Sequence, residues 1–242
     1  GTGPLPRVQI LEAWNEPNYP FFLRPQRKGG KPYADRAYAD LLTGFYAEVK
    51  RAARDHGGYA TIVLGGALGH HSSSGRGLTP VRMLEGLKRY HARLDALSVH
   101  PYNSIPNCGL YDGVFDPDLR PPRHCGGSYD RSPFVSVGTF PRFLADVNRT
   151  VGPRLPIYVT EFGWQTGANQ YSVTEAQQAR FLRDAVARLA GYARVKVLLN
   201  FLIRDEDPNQ PGRDPTGTWQ SGLRRADGTR KPSFSAWAKL AR

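Results

Sequence analysis

Two glutamates stand at places where a strand would deliver a reactive side chain to a loop. Glu16 follows the apolar residues Val8, Ile10 and Leu11, with Trp14 and Asn15 before it and Pro17 and Asn18 after it. A carboxylate between an amide and a proline, just past an apolar run, marks a strand's carboxyl end, where the catalytic residues of β/α barrels sit. Glu161 repeats the form. The β-rich run Leu155-Pro156-Ile157-Tyr158-Val159-Thr160 leads into it, and Phe162-Gly163-Trp164 follows. The two together suggest paired-carboxylate chemistry, in which one group holds a proton and the other an anion.

The elements needed to position such a pair can be read from the hydrophobic pattern. Residues 7–14 predict a first strand, and Ala37, Tyr38, Leu41, Leu42, Phe45, Val49 and Ala52 recur at helical spacing, predicting a helix over 34–55 that Gly57-Gly58 stops. A short strand over 61–64 should run into Gly65-Gly66, and a polar loop over 69–77 carries His70 and His71. Thr79-Pro80 opens the next helix as cap and first turn. Strands follow over 94–99, 156–160 and 195–203, with helices over 139–151, 174–192 and 232–240. Strand and helix alternate five times without a hairpin signal, which predicts a parallel sheet with helices packed outside it.

Asn15-Glu16-Pro17 and Thr160-Glu161-Phe162-Gly163 resemble the clan A glycoside hydrolases, whose barrels carry the acid/base on strand four and the nucleophile on strand seven. His100-Pro101-Tyr102 is similar to the clan's strand-six element. Gly222-Leu223, Asp227-Gly228 and Lys231-Pro232 resemble the close of several such enzymes. The resemblance implies an α/β fold of the TIM (β/α)8-barrel type, in one catalytic domain over 1–242, with five βα units, strands four to eight, in this chain. A full barrel has eight units in typically about 250 residues. The first three would lie on another segment or have been cut away, or a second protomer would close the sheet.

By the same resemblance, nearest to families 39 and 5, Glu16 is the general acid/base and Glu161 the nucleophile of a retaining glycosidase acting on a polysaccharide or oligosaccharide without metal or cofactor. Asn15 would bond the sugar's 2-hydroxyl. His100 and Tyr102 are donors that would keep Glu161 ionised. Trp164 and Trp219 offer flat faces for sugar rings, or else fill the core. Arg204 and Asp205 could bind a hydroxyl or a carboxylate, or brace their loop as a pair. Trp14 is expected to point into a barrel layer or toward the site. The loop over 18–32, with Tyr19, Phe21, Phe22, Arg24, Arg27 and Lys28, is either a wall of the substrate cleft or an ordinary surface loop.

The bulk properties bound these readings. With 242 residues the chain can bury a sizeable core. No apolar run approaches the about 20 residues of a membrane span, and Gly1-Thr2-Gly3-Pro4 has no signal-peptide form, so any targeting segment is expected to have been removed or to lie upstream. The net charge of +12 fits an acidic saccharide or cell-envelope partner, or simply an arginine-rich composition. The basic residues form no single stripe and no nucleic-acid motif is present. Cys108 and Cys125 lie in one Gly- and Pro-rich loop, without metal-ligand spacing. They predict a disulfide, and with it a secreted or cell-surface location, or two free thiols. The adjacent histidines His70 and His71 have no carboxylate near them in sequence, and no metal is expected there. The competing readings are a carbohydrate-binding protein on a degenerate barrel and a basic protein that binds polyanions.

Overall fold

The computed structural model describes residues 7–72, 76–102, 135–167, 172–210 and 218–240. Cys108 and Cys125, and the bridge expected between them, lie outside the described residues. Five longer strands and five helices alternate along the chain: β1 (Ile10–Glu12), α1 (Ala34–Asp55), β4 (Ile62–Gly69), α2 (Pro80–Arg89), β5 (Ala96–His100), α3 (Phe140–Thr150), β6 (Ile157–Phe162), α4 (Glu175–Ala190), β7 (Val195–Asn200) and α5 (Pro232–Leu240). A two-residue pair, β2 (Arg27–Lys28) with β3 (Lys31–Pro32), forms an antiparallel hairpin between β1 and α1. Two-residue strands show no alternation, and the turn pair Gly29-Gly30, both at positive φ, is the hairpin signal that sequence reasoning missed. The described residues thus hold five βα units of a β/α-barrel pattern, and not eight.

The chain divides into two compact units. The first comprises residues up to Val99 and Leu144–Tyr158. Its strand order is β1-β4-β5-β6, and β1 pairs β4 in parallel with Leu11 opposite Val63. α1 buries Ala34, Tyr38, Ala39 and Leu42 on one face, as the three- and four-residue spacing requires. The Tyr38 hydroxyl donates to Ala13 O at 2.9 Å and accepts from Gly66 N at 2.7 Å, tying α1 to both strands. Burial pushes this phenol well above its ordinary range, so it stays a donor. α2 starts where Thr79 Oγ1 accepts from Arg82 N at 3.2 Å, with Pro80 next.

The strand expected to end before Gly65-Gly66 runs on to Gly69. Here the glycines serve close packing, and Gly66 also takes φ 114°, without ending the strand. A Cβ at position 65 would meet Leu42 Cδ2 at 2.5 Å, and one at position 66 would meet Ser98 O at 2.5 Å. Helix and neighbouring strand therefore press directly against this backbone.

The second unit comprises His100–Phe143 and Val159–Arg242, with β6 and β7 as neighbours. α4 begins in a capping box: Thr174 Oγ1 accepts from Gln177 N at 3.2 Å, and Gln177 Oε1 accepts from Thr174 N at 2.9 Å. Phe162 packs against Trp164 and Trp237, and Trp164 against Phe181. This aromatic layer joins the end of β6 to α4 and α5.

Candidate active site

In the first unit, β1 ends in a backbone that only strong local support can hold. Trp14 (φ 69°) and Glu16 (φ 38°) both take left-handed conformations, as does Ala67 (φ 43°) in the neighbouring strand. Such residues cost of order 1–3 kcal/mol each and cluster at functional sites. Glu16 N donates to Ala67 O at 2.9 Å, and Tyr19 N to Glu16 O at 2.9 Å, which fixes the glutamate's backbone. Glu16 is only 9% exposed, whereas Asn15 before it is half-buried.

Two buried amides hold the loop that follows. Asn18 accepts from Gly69 N at 2.9 Å and donates to Gly69 O at 3.1 Å and His71 O at 2.8 Å. Gln26 donates to Pro17 O and Leu23 O, both at 2.8 Å, and accepts from Leu78 N at 3.1 Å. Sequence reasoning missed both roles: Asn18 was read only as the end of a motif and Gln26 as loop. A signal was present, since a polar amide amid a loop of apolar and basic residues is a natural backbone clasp.

Behind Glu16, Tyr19 Oη lies 2.8 Å from His71 Nδ1 and 3.3 Å from His70 Nδ1. Burial, and then the charge of Glu16, push the Tyr19 phenol up, so it keeps its proton. Burial pushes His71 down to about 4, so its ring is neutral at pH 7 and Nδ1 can accept from the phenol. Trp14 departs from the expected core position. It is 50% exposed, and its indole Nε1 donates to Phe22 O at 3.0 Å; the left-handed backbone turns the ring outward.

In the second unit, Glu161 is the penultimate residue of β6, inside the strand and not beyond it. The Tyr102 hydroxyl donates to Glu161 Oε2 at 2.8 Å, and His100 Nδ1 lies 3.6 Å from the same oxygen. His100 is fully buried, with Nε2 3.1 Å from Thr160 Oγ1. The Glu161 side chain keeps 25% of its surface in solvent. An exposed oxygen beside a fixed phenolic donor suits a carboxylate that must remain charged and within reach of a ligand.

Around Tyr102 the aromatic rings form a half-open wall. Trp219 lies 5.6 Å from Tyr102 and 5.4 Å from Phe201, centroid to centroid, and Phe201 lies 6.4 Å from Tyr102. Trp219 is half-buried, and its backbone is held by Glu206 on both sides: Trp219 N donates to Glu206 Oε2 at 2.9 Å, and Glu206 N to Trp219 O at 3.0 Å.

Two expected binding residues are engaged by packing or pairing within the chain. Trp164 is 5% exposed, packed on Phe162 and Phe181, with its carbonyl accepting from Gln178 Nε2 at 2.8 Å. This packing leaves no ring face open for stacking. Asp205 does not pair with Arg204, which is exposed. Its partner is Lys231, with Nζ 2.8 Å from Oδ1 and 2.7 Å from Oδ2.

Lys231 also donates to Thr166 Oγ1 at 2.7 Å and Gln220 O at 3.0 Å, while Gly222 N donates to Asp205 Oδ1 at 2.8 Å. Burial pushes the Asp205 carboxyl up and the Lys231 ammonium down, and their mutual attraction offsets only part of this. A cleft of about 750 Å³ opens beside the pair, lined among others by Thr166, Glu175, Asp207 and Arg225. Glu161 and Tyr102 do not line it, so it is not the cavity for chemistry at Glu161.

Neither a protein-family model nor a curated protein matches the chain in sequence. Solved structures do. A GH39 enzyme from Xanthomonas axonopodis pv. citri superposes with a TM-score of 0.59 at 20% identity, over 95% of this chain and 40% of its own. A monomeric beta-xylosidase from Caulobacter crescentus CB15 gives 0.54 at 21% identity, over 95% and 41%. The fold is like that of part of these glycoside hydrolase structures. A GH2 beta-galacturonidase from Eisenbergiella tayi, bound to galacturonate, also matches, with a TM-score of 0.53 at 12% identity over 96% of this chain and 32% of its own. The chain thus spans about 40% of the length of the first two structures. At these identities the likeness concerns the fold.

Proposed function

We propose that the chain carries the catalytic carboxylates of a retaining glycoside hydrolase, with Glu161 as nucleophile and Glu16 as general acid/base. The observation that carries this reading is the setting of Glu161: the end of a barrel-type strand, one oxygen held by a buried tyrosine, and a quarter of the side chain open to solvent. Glu16 supports it from its own strand end, on a backbone that costs energy to hold and is clamped by buried amides. The glycosidase neighbours supply the fold-level context.

In this reading Glu16, protonated, donates to the departing oxygen while Glu161 attacks the anomeric carbon. A covalent glycosyl-enzyme forms and the aglycone leaves. Glu16, now ionised, takes a proton from water, which breaks the ester with net retention. The donor from Tyr102 keeps Glu161 ionised for attack and stabilises it again as a leaving group. Asn15 serves the sugar's 2-hydroxyl and Trp219 a ring face. The two carboxyl groups are then about 5 to 5.5 Å apart, and a separation above about 6.5 Å would indicate inversion.

The substrate is a polysaccharide or oligosaccharide, and an N-terminal barrel segment or a second protomer completes the sheet. The test is a panel of aryl glycosides and polysaccharides, scored for reducing sugar and, by NMR, for the anomer first released. Retention in the unmutated protein, with turnover lost in Glu161→Ala and restored by azide as the inverted glycosyl azide, supports the assignment. Unchanged hydrolysis in Glu161→Ala overturns it.

A further inference from the structure

We infer that the loop after Glu16 is a preformed ledge for an acidic saccharide chain, binding sugar rings with Trp14, Phe21 and Phe22 and their carboxylates with Arg24, Arg27 and Lys28. This deepens the reading above by naming the charge class of its substrate.

The aromatic residues do not behave as core. Trp14 is 50% exposed, Phe21 74% and Phe22 42%. The Trp14 indole is tied to the carbonyl of Phe22, so its ring lies beside the segment bearing both phenylalanines. A large aromatic held outward on a left-handed backbone two residues from Glu16 is expensive unless a ligand uses its face. Sugar rings present apolar C–H faces to such rings, whereas their hydroxyls stay in water.

The cations complete the chemistry. Arg24, Arg27 and Lys28 are all exposed, and among the described residues no carboxylate pairs with any of them. Local bonds hold them in place: Arg24 Nε donates to Pro20 O, and Lys28 Nζ sits 3.7 Å above the Tyr33 ring. The loop itself is rigid. Buried Gln26 clamps it to Pro17, Leu23 and Leu78, and the β2–β3 hairpin carries two of the three cations. Apolar faces beside unpaired, prepositioned positive charges match a chain of uronic acid units, in which every ring carries one carboxylate.

The test uses the full chain bearing Glu161→Gln, so that no turnover confounds binding, with a galacturonate oligomer and a neutral xylose oligomer as probes. The galacturonate oligomer is expected to bind more tightly, to lose affinity as salt rises, and to quench a tryptophan signal that is missing in W14F. The F21A/F22A pair should weaken it roughly 10-fold, about 1.4 kcal/mol. The R24Q/R27Q/K28Q triple variant should abolish the preference for the charged probe and most of the salt dependence. All these side chains are exposed, and an unchanged melting temperature shows that the variants fold.

The proposal is overturned if the neutral oligomer binds equally well, if single-stranded DNA binds as tightly as galacturonate, or if F21A/F22A alters sedimentation from dimer to monomer while leaving saccharide affinity untouched. Complete lack of hydrolysis in the unmutated protein would instead overturn the enzymatic reading, and the binding result would stand by itself.

Discussion

Lys231→Met removes the cation from the most deeply buried ion pair among the described residues of the second unit, with both partners at or below 5% side-chain exposure. In the folded chain Asp205 receives Nζ on both oxygens and the N–H of Gly222 on one. Met fills most of the volume but leaves the carboxylate with the single Gly222 donor. Stripping one partner from a buried pair typically costs about 3–5 kcal/mol, which for a chain of this size lowers the melting temperature by roughly 6–20 °C.

The pH dependence follows from Asp205, whose carboxyl burial already raises above 3.8. Without the ammonium it rises further. A raised carboxyl favours the folded state below its unfolded value and loses that contribution as pH climbs through its folded value. The Lys231→Met penalty should therefore be full at pH 7 and shrink as pH falls toward 3.8. Adding Asp205→Asn should recover much of the loss, since the double change leaves no unpaired buried charge. Urea unfolding at pH 7 and pH 4.5 measures all three proteins. A loss below about 1 kcal/mol for Lys231→Met, or a double variant less stable than the single one, would refute the assignment of this pair as the brace of the loop.

Three further outcomes are expected. Tyr102→Phe removes a bond to a charged group worth about 1.5–3 kcal/mol; kcat/KM should fall roughly 10- to 100-fold with little change in melting temperature, and unchanged kinetics would disconnect Tyr102 from the chemistry. His71, lowered to about 4 by burial, stabilises the fold fully above its ordinary 6.5 and loses this as pH falls through 4. Discounted for its partial exposure, the loss is about 1–2 kcal/mol, and His71→Gln should flatten the stability profile between those limits. Gly65→Ala places a methyl 2.5 Å from Leu42 Cδ2. It should cost about 1–3 kcal/mol by overpacking, measured by urea unfolding, whereas Gly44→Ala, with open space at its Cβ, should not destabilise.

The positions of the elements were legible because buried strands and amphipathic helices leave strong periodic signals. α1 spans the predicted residues, and α3 and α4 start within one residue of expectation. The second strand was read too short because Gly65-Gly66 signals a turn in sequence, and only the approach of Leu42 shows why glycine is needed within a strand. At the candidate site, Glu16 and Glu161 stood out by motif, but their supports did not. Lys231 could be quoted as part of a motif without a role, because its partner Asp205 lies 26 residues away and Arg204 was the nearer cation. Orientation was the other gap. The same residue type turns outward as Trp14 and inward as Trp164, and neither the left-handed backbone of Trp14 nor the distant partner Phe181 of Trp164 is written in hydrophobicity.

The central claim is tested most directly by trapping the intermediate. A panel of activated 2-deoxy-2-fluoro glycosides, neutral and uronic, should inactivate the protein with formation of one glycosyl ester per chain, and peptide mass spectrometry should locate it on Glu161. A label on another residue, or hydrolysis of matched substrates with inversion and no label, would contradict the account.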